Sequence, residues 1–364
     1  MAIQTTSAVD AASLAKYDAI IDVRSPGEFA EDHLPGAENL PVLDNEERAE
    51  VGTIYVQESR FLARRIGAAH VARNIAKHLE NALTDRPSGF KPLIYCWRGG
   101  QRSNAMATIL DQVGWPVTLL TGGYKTYRRA VQTRLYDETS PLQVILLDGH
   151  TGSAKTDILN RLAAYGVQTL DLEGLAHHRG SLFGAMAGKP QPSQKMFESR
   201  LLAAVDALDP ARPVVVEAES SKIGQIMTPP LLWKAMQVAP RIEVHAPRAE
   251  RARYLVTAYR DIIEDRQALE AAFARLPVYP GQKRLTDWRA LADEGAFADL
   301  AEALMEHHYD PAYDRSARKD ERPLCGVVEL GEMTTSGLEA AAGAVAELVN
   351  PRGTRVSPCV KIDS

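Results

Sequence analysis

Short apolar runs closed by polar or turn-forming residues punctuate this chain. Ala19–Val23, in YDAIIDVRS, is one, and it ends in a turn holding Pro26 and Gly27. Leu93–Tyr95, in KPLIYC, is another. Both predict strands, because four to six apolar residues bounded by turn residues suit a buried strand better than a helix. RSNAMATILDQVGW then spaces Ala105, Met106, Ile109, Leu110 and Val113 as one helical face, with Gly114 as its stop. PVTLLTGGY predicts a third strand. Strand, loop, helix, strand in that order implies a parallel α/β sheet. SRFLARRIGAAHVARNIAKHLENAL breaks the pattern: it is long, helical and basic, an inserted segment at about residues 45–85.

The polar stretch LYDETSPLQ, Leu135–Gln143 with Pro141, marks a boundary, giving a first domain over 1–134 and a second over 135–364. VILLDG opens the second with a strand, and SAKTDILNRLAAYG follows as a helix closed by Gly166. VQTLDLEG, RPVVVEAES and RIEVHAP predict further strands, so the second domain is also α/β. The tail after Arg352 is expected to be loosely ordered, and no repeat or low-complexity segment interrupts the chain.

Composition narrows the class. With 364 residues there is material for two cores, and 45% hydrophobic against 24% charged is a globular balance. No apolar run approaches the roughly 18 residues of a membrane span, and no basic, apolar leader opens the chain, so a cytoplasmic protein without membrane attachment is expected. The net charge of -5 means that nucleic-acid binding would need local basic patches. Cys96, Cys325 and Cys359 are too few and scattered for a disulfide framework or a zinc site, so no metal centre and a reducing compartment are expected.

Two loops carry the candidate chemistry. In CWRGGQRS, Cys96 follows a strand and precedes a helix, with Trp97, Arg98, Gly99, Gly100, Gln101, Arg102 and Ser103 around it. Backbone amides of a glycine-containing loop form an anion cradle, and the helix start adds positive potential. A cysteine there has a depressed pKa, with Arg98 and Arg102 adding charge, and becomes a nucleophile or group carrier. A lone strand-end cysteine is more often mere packing; the glycines, arginines and helix favour chemistry. The second loop is GHTGSAKT, with Gly149, Thr151, Gly152, Ser153, Ala154, Lys155 and Thr156. It has the spacing of a Walker A loop, in which amides wrap phosphates, lysine reaches terminal oxygens and Thr156 could ligate Mg2+. Ala154 replaces the glycine before Lys155, which puts nucleotide hydrolysis in doubt but suits a diphosphate that only has to be held. Glu217 and Glu219 end one strand, as a metal- or substrate-facing pair or as surface charges, and Asp171 and Glu173 end another. His177 and His178 lack metal spacing on a helix, and Arg179 beside them is a candidate phosphate or RNA contact.

DVRSPGEFAEDHLPGAENLP, CWRGGQRS and LLTGGYKTYRRA resemble, in that order, the signatures of rhodanese domains. That resemblance makes Cys96 a chalcogen carrier and Asp22 with Arg24 a buried structural pair. Five residues separate Cys96 from Arg102, one more than sulfurtransferases usually have, which suggests a larger oxyanion such as selenophosphate. With GHTGSAKT, DLEGLAHHRGSLFG, VVVEAESSKIG and HHYDPAYDRS added, nearly the whole chain resembles the tRNA 2-selenouridine synthase family. The resemblance implies a rhodanese-like parallel-sheet domain followed by a P-loop NTPase-like α/β domain. It implies a transferase that replaces the sulfur of wobble-position 2-thiouridine in tRNA by selenium from selenophosphate, through an S-geranylated base made from geranyl diphosphate. No tightly bound cofactor is implied. The expected split is geranyl diphosphate on the P-loop and selenophosphate at Cys96. Arg60, Arg64, Arg65, Arg73 and Lys77 of the inserted segment, with Arg179, are candidate tRNA contacts, and Arg315, Arg318, Lys319 and Arg322 form a second basic cluster. Trp97 is a candidate platform for the wobble base, and the groove for the geranyl chain is not legible. The rivals are a rhodanese-type sulfurtransferase with an accessory nucleotide-binding domain, a wide-loop phosphatase and a non-catalytic RNA-binding scaffold.

Overall fold

The computed structural model describes residues 3–350 except 182, 187, 275 and 277–280. The tail beyond Arg352, with Cys359, lies outside the described residues. The chain forms two compact units, one of residues up to Glu138 with Ser193–Asp206, the other of Thr139–Pro192 with the chain from Ala207 onward.

The first unit is a five-stranded parallel sheet of β1 (Gln4–Thr6), β2 (Ala19–Asp22), β3 (Ala37–Asn39), β4 (Pro92–Tyr95) and β5 (Thr118–Leu120), in the order β1-β5-β4-β2-β3. β2 and β4 are buried at every residue, which is why they read as short apolar runs, with Asp22 at the end of β2 the charged exception. Helix Gln101–Val113 leaves β4 through the Cys96 loop and buries Met106, Ala107 and Leu110 in a core with Ile21, Val23 and Ile94. Gly114, at φ 104, closes that helix, as the sequence predicts.

The inserted segment is two helices, Asn45–Gln57 and Arg60–Glu80. They break at Ser59, whose hydroxyl accepts from the Leu62 N–H at 3.3 Å and caps the second helix. Helix Gln194–Asp206, distant in sequence, belongs to this unit: Glu198 pairs with Arg128 and accepts from the Tyr136 hydroxyl at 2.6 Å.

The second unit is built on β6 (Gln143–Asp148), β7 (Gln168–Leu170), β8 (Pro213–Glu217), the small hairpin β9 (Lys222–Ile223) and β10 (Ile226–Met227), then β11 (Arg241–His245) and β12 (Leu324–Glu329). The main sheet is parallel in the order β12-β11-β6-β8-β7. Central β6 delivers the second loop and helix Lys155–Arg161, and the following 3-10 turn ends at Gly166. Helix Thr335–Val349 covers one face of the sheet with Leu338, Ala342 and Val345. A separate helical layer closes around Leu269, Phe273, Trp288, Leu300 and Leu304. Among the described residues no helix is long and apolar enough to cross a membrane.

Candidate active site

Cys96 follows the last residue of β4 in the middle of the first sheet and is 3% exposed. The chain turns back on itself at Gly99, at φ 66, where a Cβ would meet the backbone of Leu120 and Gly122 at 3.1 Å. Gly123 closes the other side, since a Cβ there would lie 2.1 Å from the Cys96 carbonyl. This close approach lets the Tyr124 N–H donate to that carbonyl at 2.8 Å and the Lys125 N–H to the Trp97 carbonyl at 3.2 Å. The TGGY turn is therefore a wedge that fixes the cradle. At its floor the Gly100 N–H donates to Cys96 Sγ at 3.2 Å, and the Ser103 hydroxyl lies at 3.2 Å. Burial alone would raise the thiol pKa. Hydrogen bonds from the Ser103 side chain and from the amides of Ser103, Gly100 and Arg98 outweigh it and hold Cys96 below the ordinary thiol range.

The arginines contribute differently from the expectation. Arg102 donates to both oxygens of Glu28, at 2.7 and 3.2 Å, and that pair neutralises its charge at the loop. Arg98 is exposed at the mouth, which Arg48, Trp97, Gln101 and Arg102 also line. Trp97 is half-buried and stacks on Tyr124 at 5.2 Å. Asp22 and Arg24 form a fully buried fork with contacts of 2.6–3.0 Å, and Arg24 lies 4.1 Å from the centre of the Tyr124 ring. Asp22 is in register with Tyr95, so this pair clamps the strand end beside the thiol. Ser103→Ala is expected to move the pH profile of Cys96 alkylation by iodoacetamide upward, towards the ordinary thiol value. An unchanged profile would mean that the amides alone set the thiol.

The second loop runs from β6 over Gly149 at φ 145 and Gly152 at φ 82. Gly152 has no room for a side chain, since a Cβ would meet the Leu255 side chain at 2.9 Å. Lys155 Nζ bends over the loop to the carbonyls of Gly149 at 2.9 Å and His150 at 3.4 Å. The Thr156 hydroxyl lies 2.5 Å from Glu217 and 3.0 Å from Glu173. A hydroxyl carries one hydrogen, so one of these contacts needs a protonated carboxyl. Burial, then repulsion from Glu217 and Glu219, pushes Glu173 far up; burial also raises Glu217, against its bond to Thr156. The surface-charge reading of Glu217 and Glu219 is thereby overturned: Glu217 is 1% exposed, and Glu219 is half-buried on the cleft. Asp171 instead caps helix Leu172–Ala176, accepting from the Gly174 N–H at 2.7 Å. Among the described residues no group of three or more His, Cys, Asp or Glu is arranged to hold a metal ion.

Arg179 lines the same cleft as Lys155, held by Asp261 at 2.9 Å and lying over the Tyr259 ring. Nothing local in the loop's own sequence marks what braces it from beneath. Arg251 donates to the Thr151 carbonyl at 3.0 Å and forms a buried pair with Asp310 at 2.8 Å. Tyr313 donates to Asp148 at 3.2 Å and packs against His150. Asp310 and Tyr313 belong to HHYDPAYDRS, so a remote segment locks the loop.

Ala154 takes the left-handed conformation, φ 57 and ψ 30, at the start of helix Lys155–Arg161. That conformation costs a non-glycine residue about 1–2 kcal/mol, whereas glycine adds unfolded-state entropy of about 0.4–1 kcal/mol. Ala154→Gly is therefore expected to raise stability by up to about 1.6 kcal/mol, shifting Tm upward by about 2–4 °C for each kcal/mol gained. A fall in Tm would show that packing of the buried methyl outweighs the strain.

Arg60, Arg64, Arg65, Arg73 and Lys77 are all exposed on helix Arg60–Glu80. Arg60 lies over Tyr55, and Arg73 donates to His70 at 2.9 Å. In the second cluster Arg315, Arg318 and Lys319 are exposed, but Arg322 is forked onto Asp320 at 2.5–3.0 Å and is not an open cation.

Comparison with known proteins agrees with this architecture. A rhodanese-like domain model matches residues 6–130, and a model described as the tRNA 2-selenouridine synthase AAA domain matches 142–275. A tRNA 2-selenouridine synthase of Cupriavidus pinatubonensis is 37% identical over 353 residues, covering 86% of this chain and 92% of that protein. One from Aeromonas salmonicida is 35% identical, over 81% of this chain and 86% of that protein. One from Hahella chejuensis is 32% identical, over 84% and 87%.

Proposed function

Because the chain belongs to the tRNA 2-selenouridine synthase family and is a transferase, we propose that it exchanges the 2-sulfur of a wobble-position 2-thiouridine for selenium in two steps, one at each loop. The observation that carries this reading is the presence in one chain of two anion cradles with different floors. One holds a hydrogen-bonded thiol, Cys96, and the other a lysine and a threonine, Lys155 and Thr156.

A thiocarbonyl sulfur leaves poorly as sulfide. In the first step it attacks the allylic carbon of geranyl diphosphate: the S–C bond forms, the C–O bond breaks, diphosphate departs and the base loses its N3 proton. Amides of Gly149–Ala154 hold the diphosphate, and Lys155, with Arg179 across the cleft, neutralises the charge that grows on it. Glu217 Oε2 is buried without a protein partner, and its other oxygen lies 2.5 Å from the Thr156 hydroxyl. This pair of oxygen ligands, Thr156 and Glu217, fits a Mg2+ completed by substrate oxygens, and such an ion would supply further charge neutralisation. In the second step the Cys96 thiolate takes the phosphoryl group of selenophosphate, the P–Se bond breaks, and the freed selenide attacks C2; the C2–S bond breaks and geranylthiol leaves with a proton. Water then takes the phosphoryl group. Stacking of the wobble base is assigned to Trp97, beside the thiol, and the exposed cations Arg60, Arg64, Arg65, Arg73 and Lys77 hold the tRNA backbone.

The test is a 2-thiouridine anticodon stem-loop given geranyl diphosphate and then selenophosphate, followed by nucleoside mass. The expected result is a geranyl adduct, then a 2-selenouridine. Turnover of thiosulfate with no change in the nucleoside would replace this reading with the plain sulfurtransferase.

A further inference from the structure

The second unit holds a cavity whose wall continues that of the phosphate cleft: Thr151, Ser181, Leu255 and Tyr259 line both. Beyond them the lining turns to hydrocarbon, with Phe183, Leu269, Phe297, Leu300 and Leu304. The hydroxyls of Ser181 and Tyr259 lie 2.7 Å apart and satisfy each other, and among the described residues no charged side chain lines the cavity. A nucleoside base would find few polar partners there, while an alkyl chain would meet mostly hydrocarbon.

The cavity also has a direction. Arg251 touches both the Thr151 carbonyl, at 3.0 Å, and Met305 Sδ, at 3.3 Å, so the Met305 end lies under the phosphate loop. Phe297 begins the helix Phe297–Leu304 that leads to Met305 and so marks the far end, with half-buried Ala301 midway. The distance along that helix is roughly 10 Å, about the length of two isoprene units.

We propose that this cavity takes the hydrocarbon chain of an allylic diphosphate whose diphosphate sits on the Gly149–Thr156 loop, and that Ala301 and Phe297 set the accepted chain length. The inference rests on the loop's assignment to a diphosphate given above, and it adds the residues that select the donor. Each buried methylene is worth about a fourfold gain in affinity, so the cavity separates allylic diphosphates from inorganic diphosphate and from one another.

The test uses the full chain and calorimetric binding of inorganic, dimethylallyl, geranyl and farnesyl diphosphate. Wild type is expected to bind geranyl diphosphate at least about 100-fold more tightly than inorganic diphosphate. Ala301→Phe, which fills the middle of the cavity, is expected to lower that preference at least about tenfold while inorganic diphosphate binds as before. Phe297→Ala is expected to raise the farnesyl-to-geranyl affinity ratio about tenfold. Equal binding of geranyl and inorganic diphosphate in wild type, or ratios untouched by both substitutions, would overturn the proposal. Strong, chain-dependent binding with no alkylation of a 2-thiouridine stem-loop would uphold the cavity and overturn the alkyl-transfer step instead.

Discussion

Cys96→Ser is expected to cut selenium incorporation into a pre-geranylated anticodon stem-loop by about 1,000-fold or more, with geranylation of the thiouridine form within about twofold of wild type. The substitution is nearly isosteric and keeps the cradle: the Gly100 amide and Ser103 hydroxyl can bond an oxygen as they bond Sγ. It removes the thiolate, because a serine hydroxyl stays protonated at the pH where those bonds stabilise a sulfur anion. Single-turnover kinetics, read as nucleoside mass against time, separate the two steps. A loss under about tenfold would mean that selenophosphate attacks C2 without help from the thiolate and that the loop only binds it. Equal loss of both steps would mean that the two chemistries are not divided between the loops.

The parts of this fold that announce themselves are those whose signal is local. β2 and β4 are buried along their length and β6 and β8 over most of theirs, so they read as apolar runs, and Gly114 and Gly166 end their elements with the left-handed turn that glycine favours. The edge strands β1 and β3 are three-residue polar segments, QTT and AEN, with no periodicity to detect. The same division runs through the sites. Both loops are contiguous in sequence and can be found there. What tunes them is not contiguous. Glu28, which occupies Arg102, lies 74 residues away from it, and Asp310, which holds Arg251 under the P-loop, lies 59 residues from that arginine. Glu173 and Glu217 are visible only as strand-end carboxylates; their meeting at Thr156 follows from the neighbouring placement of β7 and β8. The apolar cavity is illegible for the same reason, since most of its lining, from Leu255 to Tyr309, comes from helices far along the chain from the loop it serves.

Lys155→Ala should show the mirror image of the Cys96 result. Geranylation should fall about 100- to 1,000-fold, equivalent to about 2.7–4 kcal/mol of lost transition-state stabilisation, while a pre-geranylated stem-loop should still accept selenium at close to the wild-type rate. Lys155 now bonds two loop carbonyls, at 2.9 and 3.4 Å, and those bonds must be exchanged for diphosphate oxygens when the donor binds. The exchange gains most as the C–O bond breaks and charge builds on the departing diphosphate, so the loss should lie mainly in kcat and less in KM. Lys155→Arg restores the charge but not its point-like reach, and should recover part of the rate. An effect confined to KM would make the lysine an anchor for the ground state, leaving Arg179 and the acid-flanked Thr156 to stabilise the leaving group. A chain that geranylates normally without Lys155 would remove the diphosphate from this loop altogether. The neighbouring apolar cavity would then need another ligand, and the calorimetric ratios for Ala301→Phe would decide between them.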